Sequence, residues 1–180
     1  MSRSHLSLSS LAWVITLGLP VVSAAQPGPP KPAAELTALV AATPPSLKCT
    51  GTTVMPNGMS FPMTATITTR AELGGFWMHE SIAGNITNLG TFTLEVYTTF
   101  DPTTKQYYRT MLDSLGDYIS GGGAGSATKL DFQMTGSGTF GAFKFRDHAS
   151  ADAKAIKRSG ERTMDSKTWT KDYELTCTKS

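Results

Sequence analysis

Between Phe61 and Thr68 the chain alternates strictly. Phe61, Met63, Ala65 and Ile67 fall on one side of an extended backbone, and Pro62, Thr64, Thr66 and Thr68 fall on the other. Successive side chains of a strand point to opposite faces, so this spacing predicts a strand with one buried and one wet face. Alternating or β-branched runs recur at 46–54, 75–82, 90–99, 106–114, 128–134, 139–148 and 168–178, with weaker ones at 116–120 and 154–163. Turn-forming residues separate them, including Pro56-Asn57-Gly58, Gly74-Gly75, Asp101-Pro102, Gly121 to Gly125, Gly136-Ser137-Gly138 and Asp165-Ser166-Lys167. Connections this short make an antiparallel up-and-down meander of about eight to ten strands, which must curl, split or close to protect its edges.

One segment has helical spacing instead. From Ala33 to Ala42, Leu36, Leu39 and Val40 share a face, and Pro44-Pro45 ends the run. A short helix in this place suits the role of a plug at one barrel end. Before it, residues 26–34 form a proline-rich leader that cannot donate enough backbone hydrogen bonds for regular structure.

Residues 1–25 have the marks of a secretory signal: Arg3, an apolar stretch from Leu11 to Leu19, Pro20, and small residues up to Ala24 and Ala25. The apolar stretch is short for a bilayer span, and no cysteine precedes Cys49 to accept a lipid. The expectation is an exported protein, periplasmic or extracellular, with no integral membrane segment after signal removal and a single β-barrel domain at 35–180. Cys49 and Cys177 are the only cysteines. In an oxidising compartment they read as a disulfide, and because they sit in the first and last strand-like runs, their pairing favours closure of the sheet into a barrel.

Charge removes one class of partner. Loss of Arg3 takes the 16 basic residues to 15 against 14 acids, far from the balance of a nucleic-acid binder.

Several runs carry a family resemblance: Gly74-Gly75-Phe76-Trp77-Met78-His79-Glu80, Tyr97 with Phe100 to Tyr108, Leu112-Asp113-Ser114-Leu115-Gly116, Lys144-Phe145-Arg146-Asp147, and Tyr173-Glu174-Leu175-Thr176-Cys177. Over about residues 35–179 the chain resembles an exported bacterial family known as domain of unknown function 1579. The resemblance implies an all-β, calycin/lipocalin-like barrel and assigns no activity. That family often has a tryptophan where Met111 stands, which implies a differently shaped interior here.

The candidate site residues follow from facing. Trp77 and His79 share one strand face and Met78 and Glu80 the other, so only one pair can point inward. An inward His79 would be an acid, base or metal ligand, although no second ligand lies at metal spacing. Tyr107, Arg109, Met111 and Asp113 share a face whose mixed chemistry suits a polar lumen or pocket rim, with a surface Arg109–Asp113 pair as the alternative. Phe143 and Phe145 alternate with Lys144 and Arg146, which puts the rings inward and the cations in water. Tyr97, Arg146 and Asp147 complete the set.

Lys154, Lys157, Arg158 and Arg162 read as a solvated basic strand face. The glycine run 121–125 lacks the lysine and helix of a phosphate cradle and reads as a flexible loop or bulge. Hydrolase and nucleotide-binding motifs are missing, and no cofactor is expected. The leading expectation is a secreted barrel that takes a small, partly apolar molecule, with Trp77, Tyr107, Phe143 and Phe145 as wall residues. The alternatives are an enzyme using Asp113 as base with Tyr107 or Arg109 stabilising charge, or an envelope-associated interaction protein with a filled barrel.

Overall fold

The computed structural model of the protein describes residues 28–139 and 141–180. The expected signal at 1–25, the first two residues of the leader and Phe140 lie outside the described residues. Residues 28–33 have no regular structure. The chain then forms helix α1 (Ala34–Ala42) and ten strands: β1 (Ser46–Val54), β2 (Ser60–Glu72), β3 (Trp77–Ile86), β4 (Gly90–Asp101), β5 (Gln106–Asp113), β6 (Tyr118–Ser126), β7 (Lys129–Gly138), β8 (Gly141–Ala151), β9 (Ile156–Thr163) and β10 (Thr170–Lys179).

Each strand pairs antiparallel with its neighbours in sequence, and β1 pairs with β10, so the meander closes into a barrel with no free edge. Cys49 lies directly opposite Cys177 in that last pairing, and the two are bonded with Cα atoms 4.0 Å apart. The up-and-down order sorts the hairpins. Turns β1–β2, β3–β4, β5–β6, β7–β8 and β9–β10 lie at one end, and the four others lie with α1 at the opposite end.

The alternation expected around Phe61 to Thr68 is realised on β2, where Met63, Ala65 and Ile67 are buried between exposed Thr64, Thr66 and Thr68. The helix buries Leu36 and Leu39 toward the barrel and half-buries Val40. Its end is tied down by Tyr107, whose hydroxyl donates to the Glu35 carbonyl at 3.2 Å.

Two local expectations are corrected. The glycine run 121–125 is not a loop but the middle of β6, paired residue for residue with β7. A Cβ at Gly121 would come within 2.3 Å of the Gln133 carbonyl oxygen, so glycine there permits a close strand approach. The weak run at 154–163 is a full strand, and its Arg158 and Arg162 are not on a solvated face: both point into the barrel.

Candidate functional site

The barrel is hollow. A cavity of about 350 Å³ runs from its middle to the end opposite α1. Met63, Ile67, Ile82, Val96, Met111 and Ile119 supply apolar wall from five successive strands, and Phe145 and Leu175 close the circle. These are the inward positions of the period-two pattern, so the same alternation that folds the sheet makes the wall apolar. The cavity opens among hairpin tips, because Leu89 and Leu115 line it while remaining 50% and 61% exposed. Met55 and Pro56 continue this apolar rim.

A buried charge network forms the floor. Arg158 of β9 donates to both oxygens of Glu80 on β3, through Nη2 to Oε1 and through Nη1 to Oε2 at 3.5 Å. Arg109 of β5 lies 3.7 Å from the same carboxylate and donates to Asp147 of β8. Its Nε donates to Thr98 at 3.1 Å, and the guanidinium lies 4.2 Å from the centre of the Phe132 ring. Tyr173 of β10 donates its hydroxyl to the other Asp147 oxygen. The phenol reaches it because Gly160 has no side chain; a Cβ there would meet the Tyr173 ring at 2.4 Å.

Electrostatics fix the ionisation of this network. Burial alone would push Glu80 up, but the charges of Arg158 and Arg109 outweigh it and hold the carboxyl below its ordinary range. Burial likewise opposes the charge on Arg158, and Glu80 more than restores it. Burial and the neighbouring Asp147 carboxylate push the Tyr173 phenol well above its ordinary value, so it stays a donor.

A second cluster sits toward the mouth. Arg162 lies 3.4 Å from Asp117 and, through Nε, 3.0 Å from Asp172, with its guanidinium 4.3 Å from the centre of the Phe143 ring. Asp113 faces the same space, and its Oδ1 accepts the backbone N–H groups of Leu115 and Asp117 at 2.9 Å each. Asp113 therefore shapes the β5–β6 turn and does not pair with Arg109.

The sequence candidates divide between the two surfaces of the sheet. Arg109, Asp113 and Phe145 line the cavity. Phe143 points inward beneath Arg162. Tyr107 points inward at the helix end, where burial and then the Glu35 charge push its phenol up. Trp77, His79, Tyr97 and Arg146 are on the outer face. There, His79 Nε2 lies 2.5 Å from Glu95 and its Nδ1 3.3 Å from Glu72, while the Tyr97 ring stacks on it at 4.5 Å. Arg146 stacks 3.8 Å above the Trp169 ring and lies 3.5 Å from Glu161.

Sequence reasoning missed Glu80, Arg158, Arg162, Asp172 and Tyr173 as lumen groups. For the arginines the signal was present: Ile156, Arg158, Gly160 and Arg162 share one strand parity and Lys157 and Glu161 the other. The reading of a solvated basic face put Lys157 together with Arg158 and Arg162, across that alternation. Only the partners across the lumen reverse the sign.

A ten-stranded up-and-down barrel, capped by a helix at one end and hollow toward the other, is a calycin-like barrel. The chain belongs to the family described as Protein of unknown function (DUF1579), whose model matches residues 48–177. A comparison with the curated proteins gives no match. Among solved structures, the crystal structure of Rv2717c from M. tuberculosis is similar in fold, with a TM-score of 0.62 at 11% identity over 83% of this chain and 99% of that one.

Proposed function

We propose that this chain is an exported binding barrel, not an enzyme, that holds one small, largely apolar molecule in its lumen. The observation that carries the reading is the apolar-walled cavity of about 350 Å³, within the size range of small-molecule sites and continuous with an apolar rim. Export is supported by the signal-like N-terminus and by the disulfide between Cys49 and Cys177. Among the described residues no helix is long and apolar enough to cross a membrane.

Titration with a neutral, environment-sensitive apolar dye such as N-phenylnaphthylamine tests the reading. A saturable rise in emission with one dye per chain, accompanied by an upward shift in melting temperature, is expected. No saturable signal and no thermal shift, with either the dye or a total lipid extract read by native mass spectrometry, would defeat it.

A further inference from the structure

Two arginines that line the lumen each keep one donor without a partner. Nε of Arg158 and Nε of Arg162 are buried and make no hydrogen bond within the chain. A buried N–H left unsatisfied forfeits the bond it made in water, so each marks a place where the chain supplies no acceptor. The two are not equal. Arg162 Nε still lies 3.0 Å from a carboxylate oxygen of Asp172, in a geometry that makes an ion pair but no hydrogen bond. Arg158 uses both Nη groups on Glu80 and has no acceptor at all for its Nε. The residues are four apart on β9, about 13 Å at the rise of a strand, so one head group cannot serve both.

The unpaired donor calls for an oxygen, and the surrounding charges decide which kind. The inward cations Arg109, Arg158 and Arg162 face the five carboxylates of Glu80, Asp113, Asp117, Asp147 and Asp172. A ligand carboxylate would accept from Arg158 but would add one more negative charge to a weakly screened space that already has the surplus. A carbonyl oxygen accepts the same bond and adds no charge. Between this floor and the mouth the wall is apolar, supplied by Met63, Ile82, Met111 and Phe145.

We infer that the cavity, if the lumen-binding reading above holds, selects a neutral apolar molecule with a carbonyl oxygen, of the ketone or ester class, seated with that oxygen on Arg158 Nε. The Glu80 carboxylate, held by the two Nη groups, fixes the guanidinium while its Nε edge takes the ligand. The apolar body extends along the wall toward the mouth at Leu89 and Leu115.

Isotope-edited infrared spectroscopy of the disulfide-intact chain with carbonyl-labelled decan-2-one reads that bond directly. The bound ketone should show its carbonyl stretch well below the frequency it has in hexane. Dye displacement by decan-2-one, by 2-methyldec-1-ene, in which a methylene group replaces the oxygen, and by decanoate adds the selectivity. In the double variant Glu80→Met, Arg158→Met the ketone should lose about tenfold or more in affinity, while the alkene changes by less than about twofold. Decanoate should bind the parent more weakly than the ketone. If the double variant does not fold, the infrared measurement on the parent decides. A hexane-like stretch in the bound ketone, equal losses of ketone and alkene in the variant, or binding of the alkene alone would overturn the Arg158 assignment and leave the lumen reading intact. Decanoate binding tighter than the ketone would overturn the choice of a neutral head. Failure of every probe to bind would remove the lumen reading, and this assignment with it.

Discussion

Glu80 on β3 and Arg158 on β9 meet across the barrel, although β2, β1 and β10 lie between them on the shorter way round the sheet. The Glu80 side chain is wholly buried and that of Arg158 is 11% exposed, so each is the other's main compensation for leaving water. Removing one partner strands the other. Glu80→Ala should cost about 3–5 kcal/mol, and the Glu80→Met, Arg158→Met pair should recover much of that loss. Urea unfolding of the three proteins measures both effects.

The same ionisation gives stability a pH dependence with two opposing signs. Glu80 is held below the value of 4.5 that it regains when unfolded, so the unfolded chain binds more protons in that window. Its contribution is complete above about pH 4.5 and is lost as pH falls through the folded value. Asp172 behaves oppositely. Its folded value lies above the ordinary 3.8, so stability declines as pH rises from 3.8 through the folded value. Asp172→Asn should remove that decline, and its melting temperature should gain on the parent as pH rises from 3.8 through the folded value. A variant that loses ground with rising pH would contradict the assignment.

Closure by the disulfide is open to a direct stability test. Cys49 and Cys177 are 128 residues apart, and a loop of that length corresponds to about 5 kcal/mol in the chain-entropy account. Cys49→Ser with Cys177→Ser should therefore lower the melting temperature markedly while the far-ultraviolet circular dichroism keeps its strand signature. The main-chain pairing of β1 with β10 persists because it runs from Leu47–Lys179 to Thr53–Tyr173, well beyond the bridge.

Much of the barrel was legible because period two is a local property. Phe61 to Thr68, the runs at 46–54 and 106–114, and the short helix all appear where their spacing places them. The two cysteines supplied the long-range term that alternation lacks. Legibility failed where a residue's role depends on what lies opposite. Gly121 looks like a turn residue until the approach of β7 is known, and Arg158 looks solvated until Glu80 appears across the lumen. At Trp77 to Glu80 the period gave two pairs and no sign. The barrel turns Met78 and Glu80 inward and leaves His79 buried on the outer face between Glu72 and Glu95.

The central claim is that the lumen is a binding site, and Met111 offers the most direct measurement. Its side chain is 6% exposed and borders the cavity, so Met111→Trp adds an indole to free space without disturbing the ion network's partners. Filling a void adds dispersion contacts, so the variant should melt at the parent's temperature or above it. Dye titration of parent and variant side by side then decides. The account predicts saturable binding to the parent, and loss of about tenfold or more in affinity for a folded Met111→Trp. Unchanged affinity in the folded variant would mean that the molecule binds elsewhere, and would contradict it.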